Sequence, residues 1–264
     1  MPPKGNIMES EQMKPGEDEL NRVFWMTFSQ LGTLSTFYSV MLNGLPHGAK
    51  KQVLEMAEFA DELYEDGTLA SWLYNPEQVD NVYEVIEQQM DTVHQQIKDN
   101  ARKSLDAVAI VLAHSILDVS VYGYLEVLSL AFPESFVNYI EKKQVGLSEV
   151  ELKTYEQIRN EKINEYMKKQ IERSSLISKL DKFHEIVKPA STQINPDYKY
   201  DREKLEQFDK TRHDIVHQNK WTSFSIDFTK ESFYWSLLNW YMLREVVKKT
   251  GLKLSQEKLF EAMT

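Results

Sequence analysis

From Ala101 to Phe132 the sequence ARKSLDAVAIVLAHSILDVSVYGYLEVLSLAF runs without a proline and stops at Pro133. Apolar residues on nearly every turn for that length predict a helix buried over most of its surface. Its few polar residues are ordered: His114, Asp118, Tyr122 and Glu126 follow at i+4, which places them on nearly one face. That face is either the wet side of an otherwise buried helix or a polar wall along a groove. Nine glycines and eight prolines in 264 residues are too few turn-formers for a sandwich or propeller of many short strands. The expected fold class is therefore all-α.

Residues 1–17 carry acids, Pro and Gly and no apolar core of a signal peptide, so they read as a disordered tail. An N-terminal helical region is expected over 18–100 and a helical bundle over 101–264. Val23 to Leu45 holds no formal charge and is long enough to span a bilayer. Thr27, Ser29, Gln30, Thr33, Ser35, Thr36, Ser39 and Asn43 dilute it, and Phe24, Phe28, Leu31, Ser35, Tyr38 and Leu42 recur at helical spacing. A buried helix is the reading, and a membrane span is not expected. A second helix is predicted over Ala49–Glu65, and a third opens at Asn75-Pro76-Glu77 and runs to about Lys98. After a break at Gln144–Ser148, Ser148 would cap a Lys/Glu-rich helix running past Arg173. A helix Leu176–Val187 should end at Lys188-Pro189, followed by a connecting loop to Asp201. The next helix reaches Gln218 with Asn219 as a left-handed stop. Phe224–Phe228 alternates like a short strand or extended loop, and a last amphipathic helix covers about Lys230–Lys249.

Forty-one acidic against 31 basic residues give a net charge of −10, so no global field draws the chain to nucleic acid and any such site must be local. With no cysteine, disulfide frameworks, thiolate metal sites and cysteine nucleophiles are excluded, and an intracellular, cytoplasmic setting is expected. The glycines stand singly, which excludes the Gly-rich phosphate loops, and neither H-E-x-x-H nor G-x-S-x-G occurs.

Chemistry is concentrated in Phe208-Asp209-Lys210-Thr211-Arg212-His213-Asp214-Ile215-Val216-His217. A guanidinium donates a planar fork of hydrogen bonds suited to phosphate oxygens. Imidazole exchanges protons near neutrality. Together they suffice for RNA cleavage without a metal: an imidazole takes the proton of the 2′-hydroxyl or supplies one to the leaving 5′-oxygen, and the arginine stabilises charge on phosphorus.

The run Arg212-His213-Asp214-Ile215-Val216-His217 resembles the R-x4-6-H signature of the HEPN superfamily, helical domains many of which are metal-independent ribonucleases of toxin–antitoxin, abortive-infection and CRISPR-associated systems. The family's polar residue after the Arg is matched by His213, and its small or apolar residues before the His by Ile215 and Val216. The resemblance extends over about 101–250. It implies a HEPN-like antiparallel bundle, Arg212 and His217 as catalytic residues, and His213 as a site-lining residue. Asp214, in the same run, and His114 and Asp118, from the polar face of the apolar helix, are further site-lining candidates on the residues alone. The resemblance further implies an RNA substrate, no DNA, no cofactor or metal, a homodimer with a composite active site, and a regulatory or antitoxin partner. The dimer also answers a geometric problem, because five residues of α-helix turn through about 500° and leave Arg212 and His217 some 140° apart. Some toxin relatives carry a Tyr two residues after the His as a target of nucleotide transfer. Asn219 stands there, so that form of regulation is not implied.

Two other readings compete. The segment can be an ordinary polar helix face in a non-catalytic adaptor, its motif degenerate or accidental. Alternatively Asp209, His213 and His217, one turn apart, can supply three metal ligands, and Asp91-x-x-His94 mimics half of a carboxylate-bundle motif. For the aromatic-rich last helix, packing in a core or dimer interface is expected in preference to base stacking.

Overall fold

The computed structural model describes residues 14–65, 79–140, 153–218, 220 and 227–254, with the backbone alone at 56–57, 60–61, 63–64 and 79–91. Helix α1 spans Glu17–Glu65 and α2 spans Val79–Ala131; a 3-10 turn at Pro133–Tyr139 follows. Then come α3 (Tyr155–Tyr166), continued by a π-turn at Met167–Ile171, and α4 (Leu176–Val187). A hairpin of β1 (Gln193–Asn195) and β2 (Tyr198–Lys199) precedes α5 (Arg202–Gln218) and α6 (Phe228–Thr250). The fold is all-α apart from that hairpin.

Several helix limits differ from those expected. The predicted helices on either side of Pro46 form one helix, α1, with the proline inside it. Proline removes one intrahelical bond. Here it sits among exposed residues 43, 44 and 46–48, where the backbone left without a partner is not forced into a dry core. The break near Lys98 is likewise absent, since Asp99-Asn100 supplies neither Pro nor Gly to end α2. In place of a tail reaching residue 17, residues 14–16 turn into α1, with the Glu17 N–H bonded to the Lys14 carbonyl at 3.1 Å. Three acids in the first turn, Glu17, Asp18 and Glu19, suit its positive end. Thr154 caps α3 reciprocally: its hydroxyl accepts from the Gln157 N–H at 3.3 Å, and the Gln157 side-chain carbonyl accepts from the Thr154 N–H at 2.9 Å. α4 closes as expected, with Lys188 left-handed at φ 48° before Pro189. The connecting loop contains the hairpin, turned by Asn195, whose side-chain oxygen accepts the N–H groups of Asp197 and Tyr198 at 2.9 Å each. The expected cap Ser148, the helix start at Asn75-Pro76, Asn219, and the extended segment before residue 227 lie outside the described residues.

The chain forms two compact units, and each of α1, α2, α5 and α6 contributes to both. The first comprises residues 1–32, 114–209 and 232–264. Its core gathers Phe24, Leu117, Tyr124, Leu125, Leu180, Phe183, Trp235 and Tyr241, all at most 1% exposed. Gly123 admits α1 closely: a Cβ there would lie 2.5 Å from Val23 Cγ2. Tyr124 donates to the Asn239 side-chain oxygen at 2.7 Å, in a fully buried bond. Arg244 fastens the hairpin by donating to the carbonyls of Ile194 at 3.1 Å and Gln193 at 2.8 Å.

The second unit comprises 33–113 and 210–231. Ala107, Ala109, Ile110, Ala113, Ile215 and Phe228 are buried in it, and Tyr38 stacks on Phe228 with ring centroids 4.3 Å apart. Tyr38 donates to buried Asp106 at 2.5 Å. Burial pushes the Asp106 carboxyl above its ordinary value, partly offset by that hydrogen bond and by Arg102. As expected of Val23–Leu45, Phe24, Leu31 and Tyr38 are buried, whereas Phe28 is 41% exposed. Among the described residues one stretch, Thr92–Ala131, is long and apolar enough to cross a membrane, and just over half of its most apolar window is buried in the protein.

Candidate active site

Asp201 starts α5, its carboxylate accepting from the Lys204 N–H at 3.0 Å. In the second unit the register of this helix is fixed by Ile215, which is fully buried. Residues two positions before and two after a buried one point about 200° away from it, so His213 and His217 occupy the outer face, and both are exposed. Their rings adjoin, with centroids 4.7 Å apart and planes inclined by 44°. Arg212 lies on the flank and is half-buried; its Nε is buried without a hydrogen-bond acceptor among the described residues. A permanently charged N–H in that state is costly, and an oxyanion is the acceptor its fork best accommodates. Asp214, on the opposite flank, faces Lys220 Nζ at 3.7 Å, and its carbonyl accepts the Lys220 N–H at 3.3 Å.

The other two candidates belong to the first unit and are occupied there. His114 Nε2 and Asp209 Oδ1 are 2.6 Å apart, with the Phe208 ring 5.5 Å from the imidazole. Asp118 accepts from Lys179 Nζ at 2.7 Å. The polar face of α2 is thus neither simply wet nor an open wall. His114 is buried and Asp118, Tyr122 and Glu126 are half-buried, and the first two bind α5 and α4 through a hydrogen bond and an ion pair respectively. Lys179, 2% exposed, was legible in the sequence as a cation in the apolar phase of Leu176–Val187. Lys220 carried no such signal, because it lies beyond the end of α5, where helical spacing no longer places a side chain.

Asp209 is engaged by His114, which weakens it as a metal ligand beside His213 and His217. Among the described residues no group of three or more His, Asp or Glu side chains is disposed to hold a metal ion. The side chain of Asp91 lies outside the described residues. His184 meets the Tyr241 hydroxyl at 3.2 Å, and burial pushes its imidazole below the ordinary value, against the pull of Asp181 and Glu245. That histidine is half-buried and packed among Tyr200, Tyr241 and Phe183. In the last helix, Trp235, Leu238 and Tyr241 are core, as expected, while Phe233 and Trp240 are about half exposed. No family model, curated protein or solved structure matches the chain.

Proposed function

We propose that the protein is a metal-independent endoribonuclease of the HEPN type, with Arg212 and His217 as its catalytic residues and His213 lining the site. The observation that carries this is the pairing of two exposed imidazoles with a half-buried arginine whose Nε lacks an acceptor among the described residues, all on one turn and a half of α5. In the reaction an imidazole takes the 2′-hydroxyl proton and O2′ forms a bond to phosphorus. The bond from phosphorus to O5′ breaks, and O5′ takes a proton from a second donor, leaving a 2′,3′-cyclic phosphate and a 5′-hydroxyl. Arg212 offsets charge on the phosphoryl oxygens. A homodimer that brings two motifs into one cleft supplies the second donor and closes the 140° between Arg212 and His217. The setting that accords with this reading is a cytoplasmic toxin or abortive-infection effector held by a regulatory partner.

A binding role without catalysis has its own support in the exposed Phe37, Val40, Met41, Leu54 and Phe59 of α1, apolar residues 42–63% accessible. One experiment separates the two. Purified protein and its Arg212→Ala and His217→Ala variants are incubated with total cellular RNA in excess EDTA, and the fragment ends are analysed. Cleavage by wild type alone, leaving cyclic phosphate, is expected, with a loss of at least about 10²-fold in each variant. Full activity in both variants overturns the assignment.

A further inference from the structure

We propose that His213 and His217 form a chelating site for one divalent transition-metal ion of the zinc type. Each of the two imidazoles is exposed on α5, one turn from the other, and no hydrogen bond or ion pair commits either ring among the described residues. The spacing is already that of a chelate. Metal–nitrogen bonds of about 2.0–2.1 Å at an angle between a right angle and the tetrahedral value put the centroids of two coordinated imidazoles about 4.5–5.2 Å apart. The observed separation is 4.7 Å. At that separation, rotation of each ring about its own side-chain torsions can converge one nitrogen from each on an ion, and water completes the coordination. The other described histidines offer no equivalent: His114 is held by Asp209, His184 by Tyr241, and His47 and His94 have no imidazole within a turn. Imidazole selects zinc, copper and nickel over magnesium and calcium, which prefer oxygen.

Such an ion is no cofactor for the chemistry proposed above. It occupies the nitrogens that would otherwise move protons, so metal binding and metal-free cleavage exclude one another at this site. The binding stands on geometry alone; only its inhibitory consequence rests on the ribonuclease reading.

The test is calorimetric titration of the full chain, stripped with EDTA and dialysed, with zinc chloride and separately with magnesium chloride. Wild type is expected to take up one zinc per chain and no magnesium. His213→Ala and His217→Ala should each weaken zinc binding at least about tenfold, since either leaves a single ligand, with the circular dichroism spectrum unchanged. Equal zinc binding by wild type and the double variant overturns the proposal. The same zinc series is then run with RNA. Inhibition with a midpoint at the calorimetric Kd supports the coupling, and cleavage that persists with the site saturated refutes the coupling alone. A wild type that binds zinc but never cleaves RNA refutes the ribonuclease reading and leaves the metal site standing.

Discussion

Gly123→Ala offers a sharp test of the packing in the first unit, because two effects of opposite sign meet there. Gly123 lies inside α2, where alanine is favoured over glycine by about 1 kcal/mol. The added methyl would, however, sit 2.5 Å from Val23 Cγ2 and 3.0 Å from Cγ1. Val23 is 1% exposed and β-branched, so it has one preferred helical rotamer and little room to turn aside. Overpacking of this kind costs about 1–3 kcal/mol, leaving Gly123→Ala anywhere from neutral to destabilising by about 2 kcal/mol. Val23→Ala alone should cost about 1.5–3 kcal/mol through lost burial and the cavity it opens. In that background the methyl at position 123 enters vacated space, and the helix preference emerges: Gly123→Ala should then stabilise by about 1 kcal/mol. The difference between the two backgrounds is a coupling of about 1–3 kcal/mol, the overpacking cost itself and within the range for touching residues. Urea denaturation of the four proteins followed by circular dichroism measures it, with midpoints compared at constant slope. A Gly123→Ala protein more stable than wild type, or one shifted equally in both backgrounds, would show that α1 does not lie against α2 at this point.

Burial raises the Asp106 carboxyl, so the folded state holds its proton to a higher pH than the unfolded chain does. The stability this group contributes is full below the ordinary carboxylate range and is lost as pH rises through the raised value. Asp106→Asn should accordingly be more stable than wild type at neutral pH, with the difference closing toward acid in a series of denaturant midpoints; a difference independent of pH would refute it. Tyr38→Phe removes the donor to that carboxylate and should cost about 1–3 kcal/mol at neutral pH, less in acid. Breaking the pair of Lys179 with Asp118 should be asymmetric. Asp118→Ala strands a buried ammonium and should cost about 2–4 kcal/mol, below the figure for a wholly dry pair since Asp118 keeps 31% exposure. Lys179→Met keeps the packing and should cost under about 1.5 kcal/mol, and equal losses in thermal melts would count against this account.

Helix identity was legible wherever the sequence carried both a period and a stop. Leu176–Val187 ends at Lys188-Pro189 as expected, and α5 reaches Gln218. Legibility failed where a stop signal is overridden by surroundings, as at Pro46, or where polar residues mimic one, as at Asp99-Asn100. The hairpin was missed because five strand residues around Asn195-Pro196 give no alternation long enough to register. Nor does periodicity reveal the sharing of α1, α2, α5 and α6 between two units, since a buried stripe records that a face is covered and not by which neighbour. The i+4 series on α2 illustrates this. Its spacing was evident, but His114 and Asp118 find Asp209 and Lys179 at sequence separations of 95 and 61.

These partners also explain why the candidate site falls where it does. A histidine is available for proton transfer or ligation only if folding leaves its nitrogens unspent. His114 and His184 are spent, one on a carboxylate and one in an aromatic cluster with Tyr200 and Tyr241. His213 and His217 are spared by the register that buries Ile215 between them, since a helix anchored at one residue must turn the positions two before and two after it outward. The isoleucine is therefore as much a determinant of the site as the imidazoles. Rotating α5 by a single residue's step, about 100°, would carry one flank of the helix into the core and turn the pair onto the half-buried flanks that Arg212 and Asp214 now occupy, whereas conservative replacement of Ile215 by Val or Leu should leave both imidazoles outside.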